Sequence, residues 1–325
     1  MSLIRLSRRT TLGLASLALP GLARAATLAQ TARIVIGVPP GATTDTIARV
    51  LAEQLRGTYA PQVIVENRPG ASLRLAVESV KAAPADGATI LFCPMPVLSM
   101  FPFVFPKTTR YDPMRDFVMA ATVAMVSYGL AVNPRTPVNS VTEFLAWAKA
   151  KGGVNFAPPV PGSPQHMMAM EIARRAGVEF TAVSYRGGQP AMQDLVAGQI
   201  DMVFTVLGDI LPLARGGLAR PIGLSTPTRL PEFPTAQPLA DAGFADLPVD
   251  EPWVVCVPAG TPPAIVEALN AAIARAVDQP SVSDGLRRLE AVPLVLSPAA
   301  TAERLRKDFA TWQPIVAATG FNADG

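Results

Sequence analysis

The chain has 325 residues, of which 50% are hydrophobic and 16% charged, and its formal net charge is +3. A chain of this length buries a sizeable core and tends to divide into two lobes. Only 6% of the residues are aromatic and no run of basic residues occurs, so a nucleic-acid-binding protein is not expected.

The first 25 residues have the composition of an export signal. Three arginines among the first nine residues precede a short apolar run, residues 12–22, and Ala23-Arg24-Ala25 then offers a cleavage site. The run is too short to span a bilayer, which takes about 20 residues. We predict a cleaved signal peptide over residues 1–25 and a periplasmic location, reached by the twin-arginine or the general secretory route. The leader holds four arginines and no acid, so the remaining chain has a net charge of −1.

Strand-like and helix-like segments alternate in the region that follows the leader. The pattern predicts strands at residues 33–38, 63–66 and 89–92, with helices at residues 44–56 and 74–83. This rhythm is typical of a parallel sheet covered by helices. A long apolar stretch, residues 117–132, predicts an extended strand that leaves this first lobe.

A second region repeats the pattern. It predicts helices at residues 140–151, 164–176, 189–197 and 207–214 and strands at residues 154–157, 181–185 and 202–205. Residues 253–258 predict a long return strand, and residues 261–277 and 300–319 predict closing helices. We therefore expect an α/β protein of two lobes, each a mainly parallel sheet flanked by helices, joined by two long crossover strands with a cleft between them. Lobe 1 is expected at residues 26–131 plus 253–325 and lobe 2 at residues 132–252.

Catalytic and metal-binding motifs are missing from the sequence. His166 is the only histidine, and there is no HExxH, GxSxG, GxGxxG or Walker A motif. Ser163 and His166 stand at one helix start without an orienting carboxylate, which suits capping better than nucleophile activation. No enzyme, metal site or cofactor is expected. Cys93 and Cys256 are the only cysteines, and we favour two buried free thiols over a disulfide.

Three predicted helix starts with small or hydroxylic residues follow strands. They are Gly41-Ala42-Thr43-Thr44-Asp45, Gly162-Ser163-Pro164-Gln165-His166 and Tyr185-Arg186-Gly187-Gly188-Gln189-Pro190. The free N–H groups and positive dipole end of a helix start attract an anion. Every α/β fold has such loops, but three of them, drawn from both lobes and placed at the carboxyl ends of strands, indicate a ligand in the cleft.

Seven short motifs stand in a fixed order between residues 33 and 321. They are Val38-Pro39-Pro40-Gly41-Ala42-Thr43-Thr44-Asp45, Val65-Glu66-Asn67-Arg68-Pro69-Gly70-Ala71, Ala83-Pro84-Ala85-Asp86-Gly87, Tyr111-Asp112-Pro113-Met114-Arg115-Asp116-Phe117, Tyr185-Arg186-Gly187, Gly198-Gln199-Ile200-Asp201 and Val257-Pro258-Ala259-Gly260-Thr261-Pro262. In this order they resemble the tripartite tricarboxylate transporter substrate-binding proteins, also called Bug-type periplasmic receptors.

The resemblance implies a type II-like periplasmic-binding-protein fold that closes on a small carboxylate and delivers it to integral membrane permease subunits. We expect a monomer without cofactor. Asp45 is expected to cap its helix. The ligand contacts implied by the resemblance are Pro40, Gly41, Ala42, Thr43 and Thr44 from the first loop, and Met95, Ala157, Gly162, Ser163, His166, Tyr185, Arg186, Gly187 and Thr205 from the others, with His166 equally well explained as a structural anchor.

The sequence departs from the family pattern at several pocket positions. Ala42 stands where a second glycine is usual, Ser72-Leu73-Arg74 replaces Gly-Gly-Asn, and apolar or rigid residues fill the loops at Cys93-Pro94-Met95 and at residues 158–161. Thr205 replaces a frequent aspartate. We therefore expect a ligand with more apolar surface than citrate and without an amino group for an acid at position 205. Arg74 is interpreted as a solvated surface arginine rather than an added cation.

Two other functions remain open at this point. A sensory receptor of the same fold would dock on a membrane sensor kinase instead of a permease, and gene neighbourhood separates the two. A hydrolase or isomerase built on two α/β lobes would show turnover with a pH-dependent rate that reports His166.

Overall fold

The computed structural model describes residues 28–41, 43–185, 188–248 and 250–324, so the predicted leader lies outside the described residues. The strands are β1 (Ala32–Ile36), β2 (Val63–Asn67), β3 (Thr89–Pro94), β4 (Phe117–Val126), β5 (Tyr128–Val132), β6 (Val154–Ala157), β7 (Phe180–Ala182), β8 (Met202–Val206), β9 (Arg220–Leu224), β10 (Gln237–Pro238), β11 (Glu251–Pro258) and β12 (Ala291–Leu296). The helices are α1 (Thr43–Leu55), α2 (Arg74–Lys81), α3 (Pro96–Ser99), α4 (Phe101–Val104), α5 (Val141–Lys151), α6 (Pro164–Ala176), α7 (Gly188–Ala197), α8 (Leu207–Arg215), α9 (Pro263–Val277), α10 (Pro280–Arg288) and α11 (Pro298–Thr319). Among these helices, none is long and apolar enough to cross a membrane.

The strands of the described part form two six-stranded sheets with the same pattern of neighbours. Their orders are β12-β4-β11-β3-β1-β2 and β10-β9-β5-β8-β6-β7. Parallel pairs join β1 to β2 and β3, and β6 to β7 and β8. Antiparallel pairs occur where a crossover strand enters a sheet, since β11 lies between β3 and β4, and β5 lies between β8 and β9. The predicted two-lobed α/β fold is confirmed, with both sheets mixed in direction rather than mainly parallel.

The predicted crossover strand over residues 117–132 consists of two strands with a break at Ser127. β4 pairs with β11 in the first sheet, whereas β5 pairs with β8 and β9 in the second. The change of sheet therefore lies at Ser127, ahead of the expected lobe boundary at residue 131. The break at Ser127 has no signal in the sequence, because β5 is buried throughout and β4 is buried almost throughout. The division of the chain into lobes remains a proposal.

Alternate residues of β1 pack on opposite faces of the first sheet. Ile34 and Ile36 face a core formed with α1 and α9, whereas Val35 faces a core that also contains residues of α2, α11 and the second sheet. Because both faces are covered, the strands are apolar almost throughout. The C-terminal helix α11 packs on α6, so the two sheets share part of one core.

Cys93 and Cys256 are free thiols, and both are buried. Cys93 lies opposite Val254, and Cys256 lies opposite Leu91, so the two thiols are diagonal neighbours on one face of the β3–β11 pair. Burial raises the pKa of each thiol. The favoured interpretation from sequence, two buried unpaired cysteines, agrees with this arrangement.

Candidate ligand-binding site

A cavity of about 380 Å³ lies where the loops of the two sheets face each other. This volume is within the range of small-molecule sites, which is about 300–1,000 Å³. Most of its wall is apolar, formed by Val38, Leu73, Pro94, Pro96, Val97, Phe101, Pro159, Val160, Pro164, Pro190, Val206 and Trp253. The polar lining residues are Thr43, Thr44, Ser163, Gln165, Gln189, Asp209 and Glu251.

Three helix starts meet at this cavity. α1 contributes Thr43 and Thr44, α6 contributes Ser163 as its N-cap together with Gln165, and α7 contributes Gly188. The first backbone N–H groups of a helix have no partner within the helix, and the dipole makes that end positive. Within the described part of the chain, none of the lining side chains is basic. An anion bound here is therefore stabilised by helix starts and not by a salt bridge to any described residue.

A buried carboxylate holds the loop between β1 and α1 in place. Asp45 accepts hydrogen bonds from the N–H of Gly41 at 2.8 Å, from Asn67 at 2.8 Å and from Arg49 at 2.9 and 3.0 Å. Asn67 also donates to the carbonyl of Val38, which fixes the loop to β2. The hydrogen bond from Arg49 is the main reason why the pKa of Asp45 is lowered to about 2. Asp45 thus caps the helix start by reaching back to the loop, as the acid of a capping box does.

We expect Asp45→Asn to lower the free energy of unfolding by about 1–2 kcal/mol, because it removes the charge of a buried carboxylate that is paired with the half-exposed Arg49. In the native protein this contribution is complete above the ordinary aspartate pKa of 3.8 and is lost as the pH falls through the folded value of about 2. Chemical unfolding at pH 7 measures the difference. Asp284→Asn removes an exposed i,i+3 pair with Arg287 and should cost less than about 0.5 kcal/mol. Equal losses in the two variants would contradict the role given to Asp45.

His166 supports the second loop from behind the cavity wall. Its Nδ1 accepts the N–H of Gly162 at 2.9 Å, and its own N–H bonds to the hydroxyl of the N-cap Ser163 at 3.3 Å. The ring packs against Phe321 and Phe156, with centroid distances of 4.7 and 5.8 Å. Burial lowers the pKa of His166 to about 4, so the ring is neutral at pH 7. Of the two roles left open by the sequence, this arrangement supports the structural one.

Protonation of His166 should destabilise the fold. Because its pKa is about 4 in the folded chain and 6.5 in a free side chain, its contribution is complete above pH 6.5 and is lost as the pH falls through 4. The loss amounts to about 3 kcal/mol. Chemical unfolding of the native chain and of His166→Asn between pH 7 and pH 4 gives the contribution by difference, which removes the effects of titrating carboxyl groups such as Asp308. Parallel curves for the two proteins would contradict this expectation.

Glu251 forms part of the cavity floor and binds two buried donors. Its carboxylate accepts the hydroxyl of Tyr128 at 2.8 Å and the indole N–H of Trp253 at 2.9 Å. Tyr128 begins β5 and Glu251 begins β11, so the contact joins the two crossover segments. Burial raises the pKa of Glu251, against the two hydrogen bonds. The contact fixes the orientation of the Trp253 indole that lines the cavity.

The structure brings only some of the predicted site residues to the cavity. Thr43, Thr44 and Ser163 line it. Ala42, Arg186 and Gly187 lie outside the described residues. The remaining predicted residues do not line the cavity, and these are Pro40, Gly41, Met95, Ala157, Gly162, His166, Tyr185 and Thr205.

Local geometry explains why these predicted residues do not line the cavity. The side chain of Met95 is fully buried in the core, while its neighbours Pro94 and Pro96 line the cavity. Ala157 is also fully buried, in a cluster under the second sheet. The hydroxyl of Tyr185 is bonded to Asp194, and that of Thr205 to Asp209. Pro40 and Gly41 are exposed at the tip of their loop.

The interpretation of Arg74 as a solvated surface residue is wrong. Its relative exposure is 7%, and its guanidinium stacks on the ring of Phe105 at 3.6 Å from the centroid. It donates to the hydroxyl of Thr108 at 3.1 Å, and its Nε and Nη1 have no hydrogen-bond partner among the described residues. The error arose because Phe105 and Thr108 are about 30 residues away along the chain and leave no local signal.

A second cavity of similar volume, about 390 Å³, lies against α11. Arg304 at its edge is paired with Asp250 and Asp308 at 2.6 and 2.7 Å. Because the guanidinium of Arg304 is already paired with two carboxylates, it is not free to bind an anion. The helix starts at the first cavity are therefore the better site for a carboxylate.

Comparison with known proteins gives one consistent result. The model of the tripartite tricarboxylate transporter receptor family, TctC, matches residues 47–321. A Pseudomonas sp. (strain P51) protein, named UPF0065 protein in the tcbD-tcbE intergenic region, is 31% identical and covers 89% of this chain and 86% of its own. Protein BugT of Bordetella pertussis is 29% identical over 90% of each chain. The structure of R. palustris Rpa4515 with adipate is 28% identical, with a TM-score of 0.80, and covers 90% of this chain and 98% of that chain.

Proposed function

The chain belongs to the tripartite tricarboxylate transporter receptor family, and from that premise we propose that its cleft captures a small carboxylate with an apolar body. Members of this family are solute-binding receptors and not enzymes, so the hydrolase or isomerase hypothesis is set aside. The proposal concerns the class of solute and its destination.

The observation that carries the proposal is the meeting of helix starts from both sheets at one cavity. Thr43 and Thr44 belong to the start of α1 beside the first sheet, and Ser163 caps α6 beside the second. A carboxylate between them receives backbone N–H donors from both sides, and each charge-assisted hydrogen bond contributes about 1.5–3 kcal/mol when water is excluded. Closure of the two sheets on the ligand supplies that exclusion.

The apolar wall supports a ligand with an apolar body. Phe101, Val160 and Trp253 are among twelve apolar lining residues, and no described lining side chain supplies a cation for a second carboxylate. A compact tricarboxylate such as citrate would leave charged oxygens against this wall, at a large desolvation cost. The adipate of the R. palustris relative has a carboxylate and a chain of methylene groups, which is the chemistry expected at one end and along the body of this ligand.

Family membership supports a destination for the ligand. We propose that the chain is exported to the periplasm after removal of residues 1–25 and that its closed form delivers the ligand to the integral membrane subunits of a tripartite tricarboxylate-type permease. Receptors that act in this way release the ligand when docking on the permease favours the open form.

A thermal-shift screen of the chain from residue 26 tests the proposal. The panel contains aliphatic mono- and dicarboxylates, tricarboxylates, aromatic acids and amino acids, each with its amide or ester where one exists. A specific ligand should raise Tm with its concentration, as mass action requires, and its amide should not. A panel in which no acid raises Tm would contradict the proposed function.

A further inference from the structure

Asp209 places a carboxylate on the wall of the cavity contributed by the second sheet. It lies in the first turn of α8, directly after β8, and it lines the cavity. Its Oδ2 accepts the hydroxyl of Thr205 at 2.8 Å, and its Oδ1 accepts an amide N–H of Gln189 at 3.1 Å. A carboxylate has about four acceptor positions. These two bonds therefore orient the group and leave acceptor positions for a ligand.

Asp209 makes no ion pair with any residue that the structure describes. The described salt bridges do not include it, and no described lining side chain of the cavity is basic. Burial raises the pKa of its carboxyl group, against the hydrogen bonds from Thr205 and Gln189. A partly buried carboxylate with no ion-pair partner among the described residues is costly, and a ligand that supplies a cation relieves that cost.

Gly188 makes room for this carboxylate. A Cβ atom at position 188 would lie 1.9 Å from Oδ2 of Asp209 and 2.7 Å from the hydroxyl oxygen of Thr205. The carboxylate of Asp209 therefore sits directly against the first residue of α7. The carboxylate of Asp45 at the start of α1 is paired with Arg49, whereas Asp209, at the positive end of α7, has no ion-pair partner among the described residues. The starts of α1 and α6 are therefore the places left for the carboxylate of a ligand.

The other acid of the cavity is not available in the same way. Each oxygen of Glu251 accepts one buried donor, the hydroxyl of Tyr128 or the indole N–H of Trp253. Glu251 is also more deeply buried than Asp209, with a relative exposure of 5% and both of its hydrogen bonds in the core, whereas the hydrogen bond from Gln189 to Asp209 is exposed. Asp209 is thus the carboxylate of this wall that is placed to bind a ligand.

We infer that Asp209 selects ligands that carry an amine, so that the solute is an amino-substituted carboxylic acid with an apolar chain between or beside its charged groups. The inference rests on the proposed function, since it assumes that a carboxylate binds at the starts of α1 and α6. It differs from the sequence-based expectation of a ligand without an amino group. Position 205 lacks an acid, but the hydroxyl of Thr205 holds the carboxylate of Asp209 in its place.

The position of Asp209 disfavours a diacid of the same length as the amino-substituted acid. Its second carboxylate would meet Asp209 with like charge, and no described lining residue offers a counter-ion. A monoacid without an amine would leave Asp209 in the closed cleft without an ion-pair partner among the described residues. The ammonium group of an amino acid satisfies the open acceptor positions and removes the uncompensated charge.

Four probes with one six-carbon skeleton test the inference by isothermal titration of the chain from residue 26. They are hexanoate, adipate, α-aminohexanoate and ω-aminohexanoate. At least one amino acid should bind at least about tenfold more tightly than hexanoate and adipate, because one charge-assisted hydrogen bond is worth about that factor. Asp209→Asn should remove this preference while hexanoate still binds. Asp209→Glu, which keeps the charge, should retain part of it.

A matched charge change controls for long-range effects. Asp241 lies in an exposed pair with Arg229 and does not line the cavity, so Asp241→Asn should leave the preference unchanged. The inference is overturned if adipate or hexanoate binds as tightly as both amino acids, or if Asp209→Asn keeps the preference. Binding of the acids without discrimination would reject the inference alone, whereas the absence of binding by all four probes and by every acid of the screen would reject the proposed function as well.

Discussion

Thr44→Glu is expected to lower the affinity of the cleft for its carboxylate ligand by at least about 100-fold. Thr44 lines the cavity from the first turn of α1, with a relative exposure of 7%. A carboxylate introduced there shares the cavity with the bound anion, and like charges about 5 Å apart repel by about 3 kcal/mol at an effective dielectric constant near 20. The fold should persist, because an acid in the first turn of a helix is favourable.

Two control variants separate charge from size in this experiment. Thr44→Gln has a side chain of the same length without the charge, and it should weaken binding by much less than Thr44→Glu. Thr181→Glu adds the same charge at an exposed position of β7 and should leave the affinity unchanged. An affinity of Thr44→Glu within about threefold of the native value would show that the anion is not bound at the start of α1.

Glu251→Leu should lower the free energy of unfolding by about 3–5 kcal/mol. The substitution leaves the hydroxyl of Tyr128 and the indole N–H of Trp253 without their acceptor in the core, and each unsatisfied donor costs about 1–3 kcal/mol. A chain of this size should then lose about 6–12 °C in Tm. Ligand affinity should fall as well, because Trp253 loses the contact that orients it in the cavity wall.

Glu251→Gln is the matched variant for this prediction. Its amide keeps one acceptor for Trp253 and has the size of the native side chain. The free energy of unfolding of Glu251→Gln should therefore fall by less than half as much as that of Glu251→Leu. Differential scanning calorimetry of the native chain and of both variants gives the comparison. A Glu251→Leu variant as stable as the native protein would contradict the structural role of this contact.

Much of the fold follows from local patterns in the sequence. The helix start at Ser163 and Pro164 was predicted because an N-cap serine before a proline is a strong signal, and α6 begins there. Six elements of the described part were missed, and they are α3, α4, α10, β9, β10 and β12. α3 and α4 have four residues each, and β12 is an edge strand with Val292 and Leu294 exposed, so these three do not show the periodicity of a longer element.

The site was less predictable, because its walls are assembled from distant parts of the chain. Loop residues such as Met95 and Ala157 were chosen from their position after a strand, but their side chains face the core. Trp253 reaches the cavity from the return strand, which carries no loop signal. Two features of the sequence do point to residues of the cavity. Glu251 is an acid at the start of an apolar run. Asp209 stands four residues after Thr205, the position at which the family often has an aspartate.

The most direct test of the central claim is isothermal titration of the chain from residue 26 with the tightest-binding acid of the screen and, in a matched titration, with its primary amide. We predict one site per chain for the acid and an affinity for the amide at least about 100-fold lower, because the amide loses the charge that the starts of α1 and α6 stabilise. Equal affinities for the acid and its amide would contradict a carboxylate receptor.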